Sequence, residues 1–272
     1  MSFTSNSNYR RNLTCYLFFI LVNNLSAQVH PLINAHSHND YQQKYPLSTA
    51  LNNGFTSIEA DIFLIKDELI VSHVYPVHKK RKTLESLYLK PLSDSIQKHH
   101  GTVYKNDTSP VILLIDIKSD AAATYQRLEK LLYKYRSILT GYENGTVIKR
   151  ALTIVITGNK PYKELGGQTT RLAFIDQGLL SLNDSISNFL CPLASTKYSN
   201  VLTWKGEGKI PENEKKNLQA LVSVAHAQNK KVRLWASPEN KNVWKELLDC
   251  GVDLINTDKL EDLKLFLLAE GR

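Results

Sequence analysis

Short β-rich runs alternating with helical patterns predict a closed (β/α)8 barrel of the TIM type. Three observations support this fold class. Eight runs rich in Val, Ile and Leu recur from residue 32 to the end, and helical periodicity fills most of the intervals between them. The chain, at 272 residues, has the length of one such barrel, roughly 250 residues. Runs apolar on both faces signal a buried parallel sheet, and eight of them favour closure over an open, doubly wound sheet.

The candidate strands are Leu32–His36, Ser57–Ile65, Val111–Lys118, Leu152–Thr157, Leu172–Asp176, Val201–Lys205, Lys231–Ala236 and Asp253–Asn256. Helices are read over Leu47–Asn53, Ala123–Leu139, Glu214–Gln228, Asn242–Asp249 and Lys259–Leu268 from their apolar spacing. Gly54 and Gly251 fall where a left-handed residue closes a helix. Leu69–Lys105 departs from the rhythm, with a second short strand at Leu69–Ser72, a basic loop and the segment Leu87-Tyr88-Leu89. It is read as an insertion after strand two, on the face where barrel active sites gather.

Composition bounds the class. A hydrophobic share of 42% and a charged share of 22% are those of a globular protein, not of a disordered or collagen-like chain. The first 27 residues stand apart: Arg10 and Arg11, an apolar run from Leu13 to Val22, then Leu25-Ser26-Ala27. That order is a signal peptide's, so the expectation is an exported protein, periplasmic or secreted, with residues 28–272 as its single domain. The alternative is an uncleaved N-terminal membrane anchor, although the apolar run falls short of the roughly 20 residues that span a bilayer.

The formal charge is +8, and the two leader arginines leave +6 on residues 28–272. Lys79-Lys80-Arg81-Lys82 is the one dense basic run. It fits a solvated loop that helps gather an anionic substrate, and no reader motif accompanies it, so nucleic acid is not an expected partner. Cys191 and Cys250 follow the leader's Cys15. Two cysteines do not make a disulfide framework, and pairing is left open.

Four clusters fall at or just beyond strand ends, which in a barrel converge on one small volume. The first is Asn34-Ala35-His36-Ser37-His38-Asn39-Asp40-Tyr41, whose histidines, two apart, share a side of an extended chain. The second is Ser57-Ile58-Glu59-Ala60-Asp61. Period-two geometry puts Glu59 and Asp61 on one face, where two buried carboxylates are costly unless paired or bound to a cation. A hard divalent ion with oxygen ligands resolves the repulsion, and an internal ion-pair network is the alternative. The third is Asp116-Ile117-Lys118, whose acid completes a three-carboxylate metal site and whose lysine can meet a phosphate oxygen; a simple Asp–Lys pair fits equally. The fourth is His73 at the end of Leu69–Ser72. Arg233 and Trp235 share a face of the seventh candidate strand and suit a phosphate and an apolar wall, or barrel packing. Thr257-Asp258 closes the eighth.

In order, these elements resemble the glycerophosphodiester phosphodiesterase family and its phosphatidylinositol phospholipase C-like relatives. The resembling residues are His36, Gly54, Ile58-Glu59-Ala60-Asp61, His73, Asp116-Ile117-Lys118, Val232-Arg233-Leu234-Trp235 and Gly251–Asp258, spread over residues 32–268. His-Ser-His-Asn-Asp-Tyr at strand one is similar to the subgroup of altered inheritance of mitochondria protein 6. The resemblance implies a PLC-like phosphodiesterase barrel and a metal-dependent phosphoric diester hydrolase. It implies one divalent ion, Mg2+ or Ca2+, on Glu59, Asp61 and Asp116, and His36 and His73 as acid and base. His38, Lys118, Arg233 and Trp235 are the expected substrate contacts. The expected substrate is a small phosphodiester or lipid head group, bound by a monomer with possible peripheral membrane contact.

Three departures qualify the substrate. The family's His-Arg-Gly reads His36-Ser37-His38, without the arginine that contacts phosphate. Its His-Asp reads His73-Val74. Its third acid is Asp116 instead of Glu, as in the sphingomyelinase D-like branch. Whether His36 or His38 takes the first histidine's place stays open, with strand register favouring His36. Two competing readings are a catalytically weak barrel that binds phospholipid head groups or anionic glycans, and a glycoside hydrolase using Glu59 and Asp116.

Overall fold

The computed structural model describes Met1 and residues 29–77, 82–182, 186–187 and 189–272. The expected leader, beyond Met1, and Lys79-Lys80-Arg81 lie outside the described residues. In chain order the elements are β1 (Leu32–Ser37), α1 (Ser48–Asn52), β2 (Phe55–Ile65), β3 (Glu68–Val71), α2 (Lys90–Lys98), β4 (Val111–Ile117) and α3 (Ala121–Lys134). They continue with β5 (Gly141–Glu143), β6 (Thr146–Ile148), β7 (Leu152–Gly158), α4 (Tyr162–Gly166), β8 (Thr170–Arg171), β9 (Phe174–Gly178) and β10 (Leu193–Lys197). The last are α5 (Glu212–Ala227), β11 (Lys231–Trp235), α6 (Lys241–Asp249), β12 (Leu254–Thr257) and α7 (Leu260–Ala269).

Strands β1, β2, β4, β7, β9, β10, β11 and β12 pair in parallel in that order, and β12 returns to β1. The predicted barrel is therefore closed. β3 adds to β2 as an antiparallel hairpin, and β5, β6 and β8 form a small separate antiparallel sheet.

Two expectations need correction. Val201–Lys205 is not a strand; the barrel strand of that turn is Leu193–Lys197. In its place Val201 and Leu202 are buried, and the backbone N–H groups of Thr203 and Trp204 donate to the Glu214 carboxylate at 2.9 and 3.2 Å. A side chain thus supplies the acceptor that a sheet ladder would have given. Leu69–Lys105 is also not an insertion throughout. Its second half carries a π-helical turn, Glu85–Leu89, running straight into α2, the helix that links β2 to β4. Pro91 stands in the first turn of α2, where proline is tolerated. Cys191 and Cys250, left open above, are free and buried.

Register explains where polar groups stand inside the barrel. Leu114, Val155, Phe174, Leu193 and Leu254 come from five barrel strands and pack together as a cluster of their own. Side chains two apart on a strand share a face. The next inward residues are therefore Asp116, Thr157, Asp176, Ser195 and Asn256, toward the C-terminal ends of the strands. An apolar plug fills the lower barrel and a polar layer sits on it. Arg233 joins that layer, paired in register with Ser195 on one side and Leu254 on the other.

Candidate active site

The inward groups assemble into two contacting sets. The first is built on β1, β2 and β11. His36 is fully buried; its Nδ1 lies 2.7 Å from Ser57 Oγ and its Nε2 lies 3.1 Å from Glu59 Oε2. Arg233 Nη1 reaches His36 Nε2 at 2.9 Å, donates to Glu59 Oε2 at 3.0 Å and to Asn256 Oδ1 at 3.3 Å, while Nε donates to Ser195 Oγ at 3.3 Å. Burial, and then the Arg233 charge, lower the His36 pKa to about 4. Burial alone would raise Glu59, but the Arg233 guanidinium and the His36 bond hold its carboxyl well below the usual carboxylate range.

The second set is built on β2, β4 and the end of β3. Asp61 and Asp116 stand opposite one another in register. Lys118 Nζ lies 2.7 Å from Asp116 Oδ2 and 3.2 Å from Asp61 Oδ2. His73 Nδ1 lies 3.0 Å from Asp61 Oδ2 and 3.2 Å from the Tyr41 hydroxyl. The His73 side chain is 58% exposed, so it is the solvent-facing histidine of the pair. Burial lifts the Asp116 carboxyl above its ordinary value against the pull of Lys118.

Glu59, Asp61 and Asp116 each offer an oxygen within 4.8 Å of the others. Asp61 Oδ1 and Asp116 Oδ1 are buried and accept no hydrogen bond. Buried carboxylate oxygens without partners are costly, and an all-oxygen set of this kind suits Mg2+ or Ca2+. The residues present fit a divalent cation. Gly158 packs against the set: a Cβ there would lie 2.0 Å from Asp116 Oδ1 and 2.7 Å from the Ile117 carbonyl oxygen.

The remaining predicted contacts sit on the rim. His38 Nδ1 lies 2.8 Å from Asp258 Oδ1. Although burial opposes it, the Asp258 bond and nearby carboxylates raise the His38 pKa above 6.5. Trp235 pairs in register with Lys197, whose ammonium lies 5.8 Å from the ring centroid. The strand-one motif also carries a structural acid. Asp40 is buried and accepts from Ser37 Oγ, the Leu47 N–H and the Tyr88 hydroxyl, fixing the loop between β1 and α1.

Sequence reasoning did not single out Asp176, Ser57, Ser195 or Tyr41 by themselves. Asp176 ends a candidate strand, and its place in the polar layer follows only once the register is known. Ser57 and Ser195 carry no signal of their own in a strand.

Comparison with known proteins accords with this fold. The profile of the AIM6-like phosphodiesterase domain matches residues 23–176, and that of the glycerophosphoryl diester phosphodiesterase family matches residues 231–261. Altered inheritance of mitochondria protein 6 of Kluyveromyces lactis is 30% identical, over 90% of this chain and 75% of that protein. The Arthroderma benhamiae homolog is 29% identical over 85% of this chain and 83% of its own. A glycerophosphodiester phosphodiesterase from Parabacteroides distasonis shares the fold, with a TM-score of 0.53 at 14% identity, covering 90% of this chain and 98% of that one. Matching over more than half its length to one profile and over nine-tenths to a relative of that name, this chain belongs to the AIM6-like phosphodiesterase domain family.

Proposed function

We propose that this barrel hydrolyses a phosphodiester with the help of one divalent metal ion held by Glu59, Asp61 and Asp116. The observation that carries the reading is the pair of buried, partnerless oxygens on Asp61 and Asp116 beside Glu59, in a chain of a phosphodiesterase family. The bound ion would supply positive charge to a phosphate oxygen where negative charge develops.

The chain's own residues supply the rest. Lys118 and Arg233 add fixed positive charge, and Arg233, delivered from β11, stands beside His36 where the family's strand-one arginine is missing. Burial holds His36 neutral at pH 7; in the tautomer protonated at Nδ1 its Nε2 accepts from Arg233, and it serves as proton acceptor once that guanidinium turns to the phosphate. His73, exposed and oriented by Asp61 and Tyr41, is placed to exchange a proton with a leaving oxygen or with water. The nucleophile is water or a neighbouring hydroxyl of the substrate.

Phosphorus NMR of glycerophosphocholine incubated with the protein and Mg2+ tests the reading. Conversion to a monoester names water as nucleophile, and a transient cyclic phosphate names a substrate hydroxyl. An unchanged diester signal with Mg2+ and with Ca2+, for this and for simple aryl diesters, would overturn the hydrolase reading in favour of a head-group binder.

A further inference from the structure

Val74-Tyr75-Pro76-Val77 is an apolar run with little covering it. Val74, Tyr75 and Val77 are 68%, 63% and 73% exposed. Among the described residues no other stretch of four exposes three large apolar side chains. The run is held in place. The Tyr75 ring meets Phe63 of β2 edge to face, with centroids 5.8 Å apart, and Ser72 Oγ donates to the Val74 carbonyl at 2.6 Å. The chain is back against β3 at Lys82, whose carbonyl accepts from the Val71 N–H at 2.9 Å. A cavity of about 310 Å3, whose lining includes Tyr41, Ile70, Val71 and Leu87, separates the run from the barrel wall.

Positive charge adjoins the run. Lys79-Lys80-Arg81-Lys82 follows it directly in sequence, and no acid stands between Glu68 and Glu85. The loop between β1 and α1, which reaches the same cavity through Tyr41, repeats the combination: Tyr45 is 61% exposed, and Lys44 Nζ lies 5.2 Å from its ring centroid.

We propose that the run 74–77, with Lys44, Tyr45 and Lys82, docks the barrel on an anionic lipid surface, drawn there by the charge that the sequence carries over residues 79–82. Either feature alone is weak, because single exposed apolar residues are normal and a basic run is commonly solvated. Their adjacency selects lipid: a bilayer sets hydrocarbon directly beneath an anionic surface, so one patch meets both. Tyr45 and Tyr75 are the side-chain type that settles at head-group level, and Val74 and Val77 supply the apolar contact below it. Docking in this way turns the barrel mouth to the surface, since His73 of the candidate site directly precedes Val74. The inference concerns where the chain sits, not what it cleaves, and it stands apart from the hydrolase reading.

Flotation of the full chain with lipid vesicles tests it, using phosphatidylcholine alone and phosphatidylcholine with phosphatidylglycerol in equal parts. The anionic vesicles should bind at least about tenfold tighter, and about 1 M salt should remove the difference. Val74→Ser with Val77→Ser should weaken binding to the anionic vesicles about tenfold or more. Lys79→Gln with Lys80→Gln should do the same through lost charge. Tyr75→Trp reads the run itself: its added emission should shift to the blue on anionic vesicles and be quenched by brominated lipid, beyond what Trp204, Trp235 and Trp244 show in the wild type. Equal binding to both vesicles, or binding that either double variant leaves unchanged, overturns the dock. Added Tyr75→Trp emission untouched by brominated lipid overturns it as well. Absence of vesicle binding also rejects it and assigns the patch to a protein partner. None of these readouts depends on hydrolysis.

Discussion

Asp61 and Asp116 face each other across the β2–β4 ladder, and each keeps one carboxylate oxygen buried and unbonded. Lys118 bridges their other oxygens, so the pair is half neutralised by the chain itself. A protein built this way holds a charge imbalance that a cation relieves.

Removing one acid should therefore separate stability from metal binding. In chelated protein, Asp116→Asn is expected to raise stability by about 1 kcal/mol, since it removes a like-charge contact and a buried anion. In saturating Mg2+ the order reverses, because only the wild type gains binding energy on folding. Thermal melts with EDTA and with Mg2+ check both halves. A variant less stable than wild type under both conditions contradicts the arrangement.

Gly158 should be irreplaceable for a local reason. Its φ is +70°, and a Cβ would strike Asp116 Oδ1. A left-handed non-glycine residue costs about 1–2 kcal/mol before any clash, so Gly158→Ala should cost at least about 2 kcal/mol and weaken Mg2+ binding as well. Urea denaturation and calorimetry measure the two effects. A well-folded variant with wild-type metal affinity would show that Asp116 is not held by this contact.

Arg233 is the counter-charge of a buried acid. Arg233→Met leaves Glu59 without its guanidinium and should cost about 3–5 kcal/mol, the usual penalty for breaking a buried pair. Lys at this position should recover little, since it cannot reach His36, Glu59, Asn256 and Ser195 at once. Denaturant midpoints of the three proteins rank the expectation.

The seven barrel strands read from the sequence are those whose Val, Ile and Leu content is high, and the eighth was missed for a physical reason. Leu193-Ala194-Ser195-Thr196-Lys197 has little apolar content, because only Leu193 reaches the apolar plug and the next inward side chain, Ser195, belongs to the polar layer. Val201-Leu202-Thr203-Trp204-Lys205 carries the composition of a strand but spends its N–H groups on Glu214. The acids of the proposed metal site were legible because Glu-x-Asp on an apolar strand is expensive without a counter-charge or a cation. Asp176 was not, since its place in the polar layer depends on the register of β9 with β7 and β10.

His38 and Asp258 make a pH-sensitive link between β1 and the end of β12. The folded pKa of His38 is raised, so the bond's contribution to stability is fully present below about pH 6.5, the unfolded value, and is lost as pH rises through the folded pKa. Asp258→Asn should lower the His38 pKa in an NMR titration and cost more stability at pH 6 than at pH 8. Asp258 is mostly exposed, so the stability effect will be small and weakened by salt. An unmoved His38 titration would contradict the pairing.

The most direct measurement is hydrolysis of bis(p-nitrophenyl) phosphate by the purified protein, before chelation, after EDTA, and after Mg2+ or Ca2+ is restored. Glu59→Gln is run beside it as a folded control by circular dichroism. We expect cleavage that EDTA abolishes, that one of the two ions restores, and that Glu59→Gln lacks. Cleavage that persists through EDTA, or wild-type turnover in Glu59→Gln, would contradict a metal held by Glu59, Asp61 and Asp116.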